Sequence, residues 1–163
     1  MDEKQMRALA AAAFLSMAAT AAVAEVKNEQ FVVGDYQIWI EVFDSLELMF
    51  VGKNDYERDQ VLSGADVEIA AFANDADSAA LLGGPAVVAT VTGTQSCEDG
   101  DPRAYYVISF DGAPALDGPL TTCKELTVSV TPGAVVLESD PMAEDGEFWA
   151  WAPGKGFGPQ QPD

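Results

Sequence analysis

The stretch Tyr36-Gln-Ile-Trp-Ile-Glu-Val-Phe43 is followed, after Asp44-Ser45, by Leu46-Glu-Leu-Met-Phe-Val51. Two runs rich in β-branched and aromatic residues, parted by two turn formers, dictate a β-hairpin. A two-residue turn sets the register. Trp39 opposes Phe50, Glu41 opposes Leu48 and Phe43 opposes Leu46 on one face; Ile38 meets Val51, Ile40 meets Met49 and Val42 meets Glu47 on the other. Both faces are largely apolar. Such a hairpin is covered on both sides, or it offers one side to a partner.

A second hairpin is one-sided. Leu126-Thr-Val-Ser-Val130 turns through Thr131-Pro132-Gly133-Ala134 and returns as Val135 to Glu138. Pro then Gly at the central positions suits a type II turn. Val130 then opposes Val135 and Val128 opposes Leu137, with Leu126 on that face and Thr127, Ser129 and Thr131 on the other. Further strands are expected at Asp66 to Ala73, with Val67, Ile69 and Ala71 on one face, at Ala86 to Thr94, and at Ala104 to Phe110. Asp111-Gly112 and Asp117-Gly118-Pro119 read as turns. Two short helical turns fit the capping rules: Asn54 before Asp55 to Leu62 with Gly64 beyond, and Asp75 or Asp77 before Ser78 to Leu82 with Gly83 beyond. The fold class implied is mainly β: a small antiparallel β-sandwich or barrel with one disulfide and one or two short helical turns.

The chain opens with an uncharged, Ala-rich run from Ala8 to Ala24 that ends Ala22-Val23-Ala24. This pattern predicts a secretory signal peptide over residues 1–24, cut after Ala24, and hence a periplasmic or secreted protein. A cleaner basic leader begins at Met6-Arg7, so a start at Met6 is the alternative to Met1. A single β domain over 25–158 and a polar tail over 159–163 follow. The two cysteines, Cys97 and Cys123, lack C-x-x-C spacing, and in an oxidising compartment they predict one structural disulfide.

The formal net charge is −19, from 27 acidic and 8 basic residues. Loss of Asp2, Glu3, Lys4 and Arg7 with the leader leaves it unchanged. Nucleic acid and anionic membrane both require Lys and Arg to neutralise phosphate, so neither is an expected partner. A solvated acidic surface or a docking face for a basic secreted protein are the two readings of the charge. The chain has no histidine, which removes Ser-His-Asp and Cys-His catalysis and His-ligated zinc. No nucleophile elbow, P-loop or dinucleotide fingerprint is present.

Carboxylate chemistry remains. Glu98, Asp99 and Asp101 form a tight acidic loop beside Cys97 and are the candidate Ca²⁺ ligands, with a solvated turn as the alternative. A carboxylate-based glycan hydrolase is a further alternative, though any two of so many carboxylates meet its spacing. Trp149 and Trp151 alternate in a strand-like stretch before Gly154-Lys-Gly-Phe157-Gly158, which reads as a mobile segment. The two tryptophans share one face. They fill the core, or with Phe157 they form an aromatic binding surface. The expected role is that of an exported, non-catalytic binding protein, with a Ca²⁺-stabilised structural domain as the alternative.

Overall fold

A computed structural model describes residues 28–140 and 142–159. The expected leader, its expected cleavage site after Ala24 and the tail over 160–163 lie outside the described residues. Among the described residues, twelve strands form three four-stranded antiparallel sheets, each a simple meander, and one helix joins two strands of the second. The first sheet holds β1 (Asn28–Val33), β2 (Tyr36–Phe43), β3 (Leu46–Asn54) and β4 (Glu57–Gly64) in that order. The second holds β5 (Glu68–Ala73), β6 (Ala86–Thr92), β7 (Arg103–Ser109) and β8 (Ala115–Thr122). The third holds β9 (Thr127–Thr131), β10 (Ala134–Glu138), β11 (Phe148–Ala152) and β12 (Gly156–Pro159).

The second sheet lies in the middle, buried on both faces. Val87, Ala89 and Val91 of β6 and Ala104 and Ile108 of β7 join Ile38, Ile40, Met49 and Val51 of the first sheet in one core. The alternate residues, Ala86, Val88, Tyr105 and Val107, join Val135, Leu137 and Trp151 of the third sheet in a second core. This arrangement explains why β6 reads as a nearly unbroken apolar run, the mark of a strand covered on two sides. The expected β fold is present, organised as three layers around two cores.

Both expected hairpin registers are present. Ile38 pairs with Val51 and Phe43 with Leu46; Val130 pairs with Val135 and Val128 with Leu137. Gly133 has φ 81°, the left-handed conformation that a type II turn requires of its third residue. Asp75 caps helix α1 (Ala76–Leu82), its carboxylate accepting from the Asp77 and Ser78 amides at 3.1 and 2.9 Å, and Gly83 ends the helix at φ 80°. Leu82 docks the helix into the second core. The Gly133 amide donates to the Leu81 carbonyl at 2.8 Å, tying the helix to the β9–β10 turn.

Several expectations need correction. Residues 55–62 are not helical; most of them lie in β4. The Asn54 carboxamide does accept two backbone N–H groups, from Tyr56 and Glu57 at 2.9 and 3.1 Å, but it closes a hairpin turn with them. Asx chemistry serves turns and helix starts alike, and here the neighbouring strand decides. Asp117-Gly118-Pro119 lies within β8, where a register shift opposite Tyr105 to Val107 absorbs it. Val67 and Ile69 face the first core but Ala71 faces the second, because a bulge between Ile69 and Ala71 reverses the side-chain parity. Part of the segment expected to be mobile is strand: Gly156 to Gly158 lie in β12, which pairs with β11, Phe157 opposite Trp151, and Gly154 and Lys155 form the turn before it.

Cys97 and Cys123 are bonded, with Cα atoms 5.6 Å apart. Strand β8 ends at Thr122, so Cys123 sits in the crossing from the second sheet to the third. Gly100, in the loop that the disulfide closes, runs so near the Cys123 carbonyl that a Cβ there would overlap its oxygen. Two hydrogen bonds pin the third sheet to the second. The Leu126 amide donates to the buried Tyr105 hydroxyl at 2.9 Å, and Trp151 Nε1 donates to Asp117 Oδ2 at 2.7 Å.

Replacing both cysteines by alanine reopens a loop with a sequence separation of 26. On the chain-entropy model this lowers stability by about 3.5 kcal/mol, read from urea unfolding. Tyr105→Phe leaves the Leu126 N–H without its acceptor and costs about 1–3 kcal/mol in the same assay. Hydrogen bonds from Ser78, and more weakly from neighbouring amides, hold the Asp75 carboxyl below its usual pKa. A depressed folded pKa stabilises the fold above the unfolded value and ceases to do so as pH falls through the folded one. The stability gap between the native protein and Asp75→Ala therefore closes on acidification below roughly pH 4; a gap that persists there rejects the assignment.

Candidate functional site

The first sheet has an inner face in the first core and an outer face over which no other sheet or helix of the described residues lies. On β2 the outward positions are Gln37, Trp39, Glu41 and Phe43, and on β3 they are Leu46, Leu48 and Phe50. Strand β1 adds Gln30 and Val32, and β4 adds Arg58, Gln60 and Ser63. Val32, Phe43 and Leu46 are 64, 70 and 50 % exposed. From Val32, opposite Gln37, to Phe43, this stripe extends about 20 Å at the usual strand rise.

Its centre is organised by one cation. The Arg58 guanidinium lies 4.5 Å from the Phe50 ring centre and 5.4 Å from that of Trp39. It also forms two hydrogen bonds to the Glu41 carboxylate, at 2.6 and 3.4 Å. Trp39 is thereby buried although it faces outward. The hydrogen bond to Glu41 raises the Arg58 pKa further, against a smaller opposing effect of burial. Glu41 is the one carboxylate among the outward positions in the body of this sheet, and Arg58 engages it. Exposed carboxylates are found at the hairpin ends: Asp44 at one, and Asp55, near enough to Arg58 to raise its pKa slightly, beside the fully exposed Tyr56 at the other.

The aromatic surface expected near the end of the chain is turned inward. Trp151 is 1 % exposed and fills the second core, its indole nitrogen held by Asp117. Trp149 and Phe157 pack half-buried on the border of that core, and Trp149 Nε1 donates to Glu147 at 3.3 Å. Pairing between β11 and β12 puts Phe157 and both tryptophans on the covered face, so their size serves packing.

The acidic loop is split. Glu98, Asp99 and Asp101 are all exposed, and among the described residues no group of three Asp, Glu or Cys side chains is gathered as a metal site would need. Asp101 alone of the three reaches a cleft of about 350 Å³, shared with Asp66, Glu68 and Arg103. All three carboxylates there are exposed to solvent.

Arg58 was missed because 55–62 reads as a capped helix. The double apolar alternation of β2 and β3 was the signal available for the outer face. Asp66, Glu68 and Arg103 carry no motif and are joined only by sheet pairing.

No family model, no curated protein and no solved structure matches the chain.

Truncating Trp151 to alanine opens the second core and costs about 3–5 kcal/mol. Trp149→Ala, at the core's border, costs less. Equal losses in urea unfolding would contradict this placement.

Proposed function

We propose that this chain is an exported, non-catalytic binding domain whose contact face is the outer face of β1 to β4. One observation carries the reading: Val32, Phe43 and Leu46 stand exposed around the Trp39–Phe50–Arg58 stack. Aromatic and Arg-rich apolar centres with polar surrounds are the usual anatomy of protein contact sites. A patch of this kind is rare on a monomer without a partner.

The partner that fits is a basic secreted protein. The chain's net charge of −19 attracts such a partner from a distance and speeds encounter. Carboxylates at the two ends of the face, Asp44 and Asp55, meet its cations at the rim. The apolar stripe then supplies the short-range contact, where charge has already been neutralised.

Phe43→Asp with Leu46→Asp is expected to weaken capture of the partner from basic secreted proteins by at least about tenfold, as for truncated hot spots. The melting temperature should not change, since both side chains already face water. Raising salt from low to physiological should slow association, because screening shortens the reach of the charge. Retention of the same partner by the double variant would reject this face.

A further inference from the structure

The cleft at the end of the middle sheet is built by two rigid connections. Asp66 lies in the link from β4 to β5 with φ 50°. It is held there by Thr92, whose amide donates to the Ala65 carbonyl at 2.9 Å and whose hydroxyl donates to Asp66 Oδ2 at 3.2 Å. Asp101 and Arg103 lie within the segment that the disulfide closes, shortly after Cys97. The Gly93 amide donates to the Pro102 carbonyl at 2.7 Å, and the Gln95 amide group donates to the carbonyls of Arg103 and Thr122 at 3.1 and 2.7 Å. Glu68 pairs with Thr90, and Thr92 with Arg103, so these four share one face of the sheet. It is the face that carries Val88 and Tyr105 into the second core.

Two features of the cleft are not explained by folding. Thr90 is 4 % exposed and lines the cleft, yet its hydroxyl has no hydrogen-bond partner among the described residues. The hydroxyl is not sealed off from the opening, so it is free to hydrogen-bond to what enters. Arg103, one of only 8 basic residues in the chain, forms no ion pair with any described residue, although three carboxylates share its cleft. Its guanidinium remains available for a two-pronged grip on a carboxylate.

Three negative groups and one positive group in about 350 Å³ define a complementary ligand. It is small, carries two ammonium groups and bears one carboxylate. We propose that the cleft binds a free basic amino acid. Its ammonium groups meet Asp66, Glu68 and Asp101, its carboxylate meets Arg103, and the Thr90 hydroxyl hydrogen-bonds to it. The volume lies in the range of small-molecule sites. The first sheet's outer face plays no part, so this proposal and the protein-binding reading stand or fall separately.

The test is isothermal titration of the oxidised protein with L-lysine, alongside 1,5-diaminopentane, which lacks the carboxylate, and 6-aminohexanoate, which lacks the α-amino group. Lysine should bind at least about tenfold more tightly than either, since each lost charge-assisted hydrogen bond costs that much. Arg103→Gln should erase the advantage of lysine over 1,5-diaminopentane, and Glu68→Gln should weaken both. If Arg103→Gln lowers the melting temperature, the near-isosteric Thr90→Val replaces it and should still weaken lysine. No heat with lysine at about ten times a millimolar Kd overturns the proposal. Equal binding of lysine and 1,5-diaminopentane also overturns it, because that is only attraction of cations to an acidic chain.

Discussion

The burial of one sheet on both faces is the constraint on which the rest of this structure depends. Strands β6 and β7 feed two cores alternately and carry no carboxylate at all. A strand with one buried face has its register enforced by its pattern, since a slip of one residue turns the apolar set to water. A strand that is apolar on both sides loses that protection, because either parity is acceptable. Register must then come from size and from polar pairs that work in only one alignment. Tyr105 to Leu126 and Trp151 to Asp117 are such pairs, and each crosses from the middle sheet to the third. A slipped sheet leaves a buried N–H or a tryptophan nitrogen unpaired, and those are penalties that an apolar run cannot impose.

The legible parts of the fold were those that local chemistry decides. Asp44-Ser45 and Pro132-Gly133 determine turns, and the turns determine the registers of two hairpins. Asp75 and Gly83 delimit the helix because capping involves only nearby atoms. The illegible parts depend on neighbours distant in the chain. Residues 57–64 are polar and capped like a helix, yet β3 offers an open edge beside them, and pairing with it outweighs a weak helix preference. Gly156, Phe157 and Gly158 look mobile because glycine has no strand preference, but β11 supplies a partner for each. The bulge at Ala70 sends Ala71 to a different core from Ile69, and nothing in DVEIAAFA announces it.

The candidate sites divide in the same way. Half of the contact face could be read, because β2 and β3 alternate apolar residues on both sides. Arg58 could not, since its place over Trp39 and Phe50 depends on β4 being a strand. The tryptophans left two readings open for a related reason. Two aromatics at alternate positions suit an exposed platform and a covered face equally, and only the pairing of β11 with β10 and β12 shows which face is covered.

Charge and burial together account for where binding can occur. Among the described residues no carboxylate enters either core, and most of them lie at turns, strand ends and edges. Crowding them there raises the acidity around every open surface. Yet the outer face of the first sheet keeps a single carboxylate in its body, with Arg58 set against it. Exposed Phe43, Leu46 and Val32 would be cheap to replace by polar residues in a chain so rich in them, because no core contact depends on these side chains. Their presence opposes solubility, which the rest of the composition favours. An apolar stripe bounded by acidic turns is therefore the part of this surface that solvation does not explain, and it is what the proposed protein contact would account for.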